Sequence, residues 1–315
     1  MNRNIRSLLA GLLLSILAMG LNACSKHGPD TRTESTSTQP TIGLSISTLN
    51  NPFFVSLRDG AEAEAKAKGI KLITVDAEDD PAKQIAGVED LIQKRIKVLL
   101  INPTDSDAVA NVVKEATAAG IKVISLDRRV NGAEVSAHVG SDNAMGGKMA
   151  ANFLLKKLQD KGNVVELEGT PGSSAARERG EGFDSIVDGN AGVKVVARQP
   201  ADFDRAKGLS VMENILQRSK NVQGVFAQND EMALGAIRAI EEDALKNVVV
   251  VGFDATADGV AAVKAGKLAG TVQQRPELIG KMGVDAAQSL IEGKPVDKDI
   301  PVPLNLVTPT SVPLV

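Results

Sequence analysis

The run Val98-Leu99-Leu100-Ile101-Asn102 is followed 25 residues on by Val123-Ile124-Ser125-Leu126-Asp127. The same spacing separates Val225-Phe226-Ala227-Gln228-Asn229 from Val250-Val251-Gly252-Phe253-Asp254. Short β-branched-rich runs, each followed by a helical pattern, read as parallel strands buried on both faces. Ligands of open α/β sheets sit outside the carboxyl ends of the strands. The repeat therefore predicts two similar lobes, each presenting an amide and a carboxylate at its ligand-facing edge. That suits a small polar molecule held in a cleft between them.

Outward from these runs, strand and helix alternate from Thr41 onward. Strands are expected at 42–47, 70–75, 98–101 and 122–126, with helices over 52–68, 81–94 and 105–119. Ile85, Val88, Leu91 and Ile92 fall on one face of the second helix, at amphipathic spacing. A second series follows Gly140-Ser141-Asp142-Asn143, with helices over 145–158, 174–187, 204–217, 230–241, 257–265 and 276–291. Its strands are expected at 163–167, 193–197, 224–228, 247–251 and 268–273, and a Pro-rich extended tail from 300 returns to pack on both lobes. Strict alternation implies parallel sheets and right-handed crossovers.

With 315 residues the chain is long enough for two α/β domains of ordinary size. A net charge of −3 gives no reason to expect nucleic acid as a partner. One Cys rules out an intramolecular disulfide, and two His make a His-based metal site a poor expectation. No cofactor is called for.

Residues 1–23 read as a signal peptide: two Arg, a short apolar segment over 7–21, then Leu21-Asn22-Ala23-Cys24. The apolar stretch is too short for a bilayer core. Cys24 at the cleavage point resembles a bacterial lipobox, with Asn22 an unusual residue in it. The expectation is a diacylated Cys24 as mature N-terminus, exported to the periplasm or cell surface and held at a membrane. The alternative is an ordinary signal cut nearby and an incidental thiol. Residues 24–40 carry that Cys and a Ser/Thr-rich, aperiodic tether. Sixteen flexible residues reach roughly 20–24 Å.

Several strand ends carry related chemistry. Four of the seven Phe, at 53, 54, 203 and 253, lie at these loop ends, where an exposed ring needs something to cover it. A sugar explains the combination. Its C–H face packs on aromatic rings, its hydroxyls donate to Asp, and Arg donates a planar fork back. Asp127, Arg128, Arg179 and Asp254 would dominate its affinity. Blander readings stand beside this one: Asp127 and Asp254 as helix caps, Asn51 and Asn102 as turn formers before Pro, and Arg177 and Arg179 as a solvated helix face. Phe53 and Phe54 are equally readable as staples on the following helix.

The blocks Ser47-Thr48-Leu49-Asn50-Asn51-Pro52-Phe53-Phe54, Leu100-Ile101-Asn102-Pro103-Thr104-Asp105-Ser106-Asp107 and Leu126-Asp127-Arg128 resemble the D-ribose-binding proteins of bacterial ABC transporters. So do Ser174-Ala175-Ala176-Arg177-Glu178-Arg179-Gly180-Glu181-Gly182-Phe183, Gln199-Pro200-Ala201-Asp202-Phe203-Asp204-Arg205, Gln228-Asn229-Asp230-Glu231-Met232-Ala233 and Val251-Gly252-Phe253-Asp254. The resemblance covers about 41 to 307. It implies a periplasmic-binding-protein fold, two doubly wound lobes joined by a three-crossover hinge. Lobe 1 would be 41–141 plus 275–302, and lobe 2 142–274 plus 303–315. By resemblance the sugar contacts are Ser47, Asn51, Phe53, Phe54, Asn102, Asp127 and Arg128, then Arg179, Phe203, Asn229, Phe253, Asp254 and Gln274. The implied partners are D-ribose, a membrane permease with its ATPase, and a chemoreceptor. A monomer is expected. Related ligands are allose, another pentose, or a furanose-like signal such as autoinducer-2.

Two other classes compete. Sugar-responsive repressors share the lobes but carry a helix-turn-helix where this chain has its signal. A glycosidase would pair Asp127 with Asp254, yet Arg128 is expected to keep Asp127 ionised when hydrolysis needs an acid. The run 169–174 lacks the Lys of a phosphate loop, and 76–80 lacks the Gly and distal Glu of a calcium loop.

Overall fold

Two six-stranded sheets share the chain, which is described here by a computed structural model over residues 39–311. The expected signal peptide, Cys24 and all but the end of the tether lie outside the described residues. The first sheet holds β1 (Thr41–Ile46), β2 (Lys71–Asp76), β3 (Val98–Ile101), β4 (Lys122–Leu126) and β5 (Ala137–Gly140), with β11 (Asp299–Pro301) at its edge. The second holds β6 (Gly162–Glu168), β7 (Val193–Pro200), β8 (Gly224–Ala227), β9 (Val249–Asp254) and β10 (Gly270–Gln273), with β12 (Asn305–Val307) at its edge. The main orders are β2-β1-β3-β4-β5 and β7-β6-β8-β9-β10, the same doubly wound order twice. All pairings are parallel except β10 with β12. The expected fold class is therefore what the chain adopts.

Helices cover both faces: α1 (Pro52–Ala67), α2 (Pro81–Gln93), α3 (Ala110–Ala118), α4 (Asn143–Leu158), α5 (Ser174–Val187), α6 (Arg205–Arg218), α7 (Asp230–Glu242), α8 (Ala257–Lys264) and α9 (Pro276–Ile291). Pro opens α1, α2 and α9, where its missing N–H has no helical partner to lose. Alternate strand residues enter opposite cores: Val98 and Leu100 join Ile42, Leu44 and Ile46, while Leu99 and Ile101 join Val88 and Val112.

Three helix pairs touch backbone to backbone through reciprocal glycines. A methyl on Gly60 would lie 2.2 Å from the Glu277 carbonyl, and one on Gly280 2.0 Å from that of Leu57, which joins α1 to α9. Gly147 and Gly182 do the same for α4 and α5, each 2.1 Å from a carbonyl of the other helix. Gly208 and Gly235 join α6 to α7, at 2.7 and 2.2 Å.

The chain passes between sheets three times: between β5 and α4, between β10 and α9, and between β11 and β12. Some local expectations shift. The helix expected from 105 starts at Ala110, after a turn in which the Asp105 carboxylate accepts the N–H groups of Asp107 and Ala108. β9 runs on to Asp254, three residues past its expected end, and the tail forms two short edge strands.

Candidate functional site

The carboxyl ends of both sheets face each other across a small cavity. Asn51, Phe53, Phe54, Asp127 and Arg128 line it from the first lobe, and Arg179, Phe203, Asn229 and Asp254 from the second. Gln274, at a crossing between sheets, and Ala175 complete the wall. Asp127, Arg128, Arg179 and Asp254 are each at most 6% exposed, so their charges meet almost no solvent.

Asp127 and Asp254 stand where the chain leaves β4 and β9, with φ of 60° and 107°. Non-glycine residues in that region store strain of order 1–3 kcal/mol and need support. Asp254 gets its support from the buried Asp230. That carboxylate accepts from the Thr256 N–H at 2.8 Å and the Thr271 hydroxyl at 2.7 Å, fixing the turn just after Asp254. Neither Asp127 nor Asp254 caps a helix; Thr256 caps α8. Asn51 does both jobs, accepting the Phe53 N–H at 2.9 Å as the cap of α1 while lining the cavity. Asn229 caps α7 through Met232 N–H and donates to the Phe203 carbonyl at 3.0 Å.

Each lobe contributes one buried ion pair. Arg128 Nε lies 3.8 Å from Asp127 Oδ2, and Arg179 Nη1 3.8 Å from Asp254 Oδ1. At that separation the guanidinium groups bond elsewhere: Arg128 donates to the Pro103 carbonyl at 3.0 Å. Arg179 donates to Asn143 Oδ1 at 2.9 Å and the Gln228 carbonyl at 2.8 Å. Gln274 Nε2 donates to Asp254 at 2.9 Å. Asp127 Oδ1, Arg128 Nε and Gln274 Oε1 are buried without a partner among the described residues. Buried polar groups are rarely left so. Two acceptors and one donor in the wall of one small cavity are what a polyhydroxylated molecule would satisfy.

Ser47, Asn102 and Phe253 stand behind this wall rather than in it. Ser47 donates to Asn102 Oδ1 at 2.7 Å, and Asn102 Nδ2 donates to Asp127 Oδ2 at 3.3 Å, so the two hold the carboxylate. The Arg179 guanidinium lies 3.8 Å from the centre of the Phe253 ring. Phe53 and Phe54 meet edge to face at 5.2 Å, and Arg128 spans from Phe54 to Phe203 at 5.0 and 5.3 Å. Phe203 lies where a methyl on Gly169 would be, 2.0 Å from its ring. Arg177 is the half-buried member of its pair, reaching Asp107 at 3.7 Å.

Burial pushes the Asp127 carboxyl up, with Arg179 and then Arg128 pulling it back. Arg128, expected to hold this carboxylate ionised, is opposed by burial, whose effect is the larger. Burial likewise pushes Asp254 up to about 8, opposed by Arg179 and reinforced by Asp230. Among the described residues, no group of His, Cys, Asp and Glu could hold a metal ion. None of their helices is long and apolar enough to cross a membrane.

Residues 42–295 match the periplasmic binding protein domain. The chain is 53% identical over 274 residues to the ribose import binding protein RbsB of Haemophilus influenzae, covering 87% of this chain and 93% of that one. It is 50% identical over 300 residues to the ribose import binding protein RbsB of Bacillus subtilis, covering 94% and 97%. An ABC transporter periplasmic solute binding protein from Actinobacillus succinogenes, solved with bound D-allose, superposes with a TM-score of 0.81 at 33% identity, covering 86% of this chain and 98% of that one.

Proposed function

The chain belongs to the periplasmic binding protein family, and from that premise we propose that it captures D-ribose between its lobes and delivers it to an ABC permease with its ATPase. It is an exported binding protein, not an enzyme. The observation that carries the reading is the cavity wall itself: unpartnered Asp127 Oδ1, Arg128 Nε and Gln274 Oε1 beside three Phe rings. Rings offer the apolar face of a pyranose a surface, and the polar atoms meet its hydroxyls. Hydrogen bonds to charged groups contribute about 1.5–3 kcal/mol each, and micromolar binding needs only about −8 kcal/mol net. Ribose is favoured over allose by the higher identity to the ribose import proteins.

Asn51, Phe53, Phe54, Asp127, Arg128, Arg179, Phe203, Asn229, Asp254 and Gln274 are the proposed contacts, with Ser47, Asn102 and Phe253 holding them. The signal peptide, acylation of Cys24 and the tether complete the reading: a monomeric, membrane-anchored receptor, with a chemoreceptor as a second client. Calorimetry on the protein beginning at Ser25 tests it. One-to-one ribose binding at micromolar affinity or tighter is expected, with allose and xylose weaker by orders of magnitude. No heat with ribose, from folded and sugar-free protein, removes ribose as the ligand.

A pH dependence follows from Asp254. An ordinary aspartate titrates near 3.9, and the closed cleft raises this one to about 8. Between those values the closed form holds a proton that an open, solvated carboxyl releases. The sugar-free closed form therefore loses stability as pH rises through that window, with Asp127 adding in the same direction. Sugar hydroxyls donating to the carboxylate favour its ionised form and remove the penalty. Small-angle scattering of sugar-free protein should show a closed population that shrinks from about pH 5 to about pH 8. Asp254→Asn should flatten that trend, and an equal slope in the variant would refute it.

A further inference from the structure

The N-terminus of α5 is finished by the opposite lobe. Its own capping residue, Ser173, makes no side-chain cap bond, and the Ser173 hydroxyl is buried without a partner among the described residues. Instead the Ser106 hydroxyl, from the loop after β3, accepts the Ser174 N–H at 3.0 Å. Two more bonds cross at the same point. Ser106 N–H donates to the Gly172 carbonyl at 2.9 Å, and Arg129 N–H to the Ser174 hydroxyl at 2.8 Å. The loop is itself anchored, because the Ser106 carbonyl accepts the Asn131 N–H at 2.8 Å. The fit is close: a methyl on Gly172 would lie 2.1 Å from the Asp105 carboxylate. Ser106 is fully buried and is not in the cavity wall.

We propose that Ser106 is an inter-lobe cap for α5, a positioning residue that holds the closed form without touching the sugar. The proposal deepens the ribose-binding reading and rests on it. The first N–H groups of a helix have no intrahelical acceptor, and in an open cleft water serves them. Closure replaces that water with a fixed acceptor and seats the turn that carries Ala175 and Arg179 into the cavity. The expected effect is on how long the lobes stay together.

The test is Ser106→Ala in the protein beginning at Ser25. Loss of a cap of ordinary strength predicts a ribose Kd about fivefold weaker. The change should lie in the dissociation rate, with association unchanged, and the sugar-free melting temperature should not move. An unchanged dissociation rate overturns the proposal, as does a fall in sugar-free stability matching the loss of affinity. A dye on each lobe gives a readout independent of the ligand. Single-molecule closed dwell times in sugar-free protein should shorten by the same factor of about five, and unchanged dwell times also overturn it. Failure of wild type to bind ribose at all condemns the ribose reading instead, and the dwell times then decide the cap separately.

Discussion

Arg179→Ala is expected to abolish measurable ribose binding, weakening Kd by roughly two to four decades. Arg179 serves five surroundings at once: Asn143, the Gln228 carbonyl, the Phe203 and Phe253 rings and the Asp254 carboxylate. In the sugar-bound form, where hydroxyl donors favour the ionised Asp254, removing its cation leaves a buried and uncompensated charge, which costs about 3–5 kcal/mol. A factor of ten corresponds to about 1.4 kcal/mol. Arg179→Lys should not rescue it, since an ammonium lacks the planar fork that reaches both protein acceptors. Titration calorimetry reads the effect, with melting of sugar-free protein as the control for folding. Binding within tenfold of wild type would show that Arg179 is structural and not a sugar contact.

The second large effect concerns the fold. Helix propensity alone predicts that Gly→Ala inside a helix stabilises by roughly 0.5–1 kcal/mol. Gly280→Ala in α9 is expected to do the reverse, costing about 3 kcal/mol or more. Its methyl would lie 2.0 Å from the Leu57 carbonyl, and α1 and α9 must separate to admit it. Neighbours Leu57, Ile279 and Val284 are all fully buried, so the separation opens the core. Gly87 in α2 is the comparison, because a methyl there meets only the Val75 side chain, at 3.3 Å, which need shift by a few tenths of an ångström and not a whole helix. Urea unfolding should show Gly280→Ala losing far more stability than Gly87→Ala. Equal shifts would mean that the glycine contact between α1 and α9 is dispensable.

The β-branched runs and their 25-residue spacing revealed the strands that carry Asn102, Asp127, Asn229 and Asp254. Long amphipathic helices were legible for the same reason: periodicity is written locally. β5 was not, since Ala137-His138-Val139-Gly140 has four residues and takes its strand identity from β4 and β11 on either side. Within the site, charge and ring positions were readable, whereas the division into wall and support was not. Asn102 and Asn51 look alike before Pro, yet one braces Asp127 and the other lines the cavity. Ala175 has no chemical signal to find. Asp230 reads as an ordinary helix start, and its role under the Asp254 turn depends on Thr256 and Thr271, which only the fold brings near. The upward shift of Asp127 was hidden for a related reason, because the sequence shows its neighbour Arg128 but not the depth of its burial.

The reciprocal glycines of α1 and α9 also set an order of completion. A chain made from its N-terminus has all five parallel strands of the second sheet in hand once Gln273 emerges. The first sheet has its own five strands by Gly140, but the helix that covers them beside α1 begins only at Pro276, and its edge strand ends at Pro301. Until then Gly60 faces no partner, and the core around Ile42, Leu44 and Leu57 lacks Ile279, Val284 and Ala287. The half that is begun first receives its covering helix last.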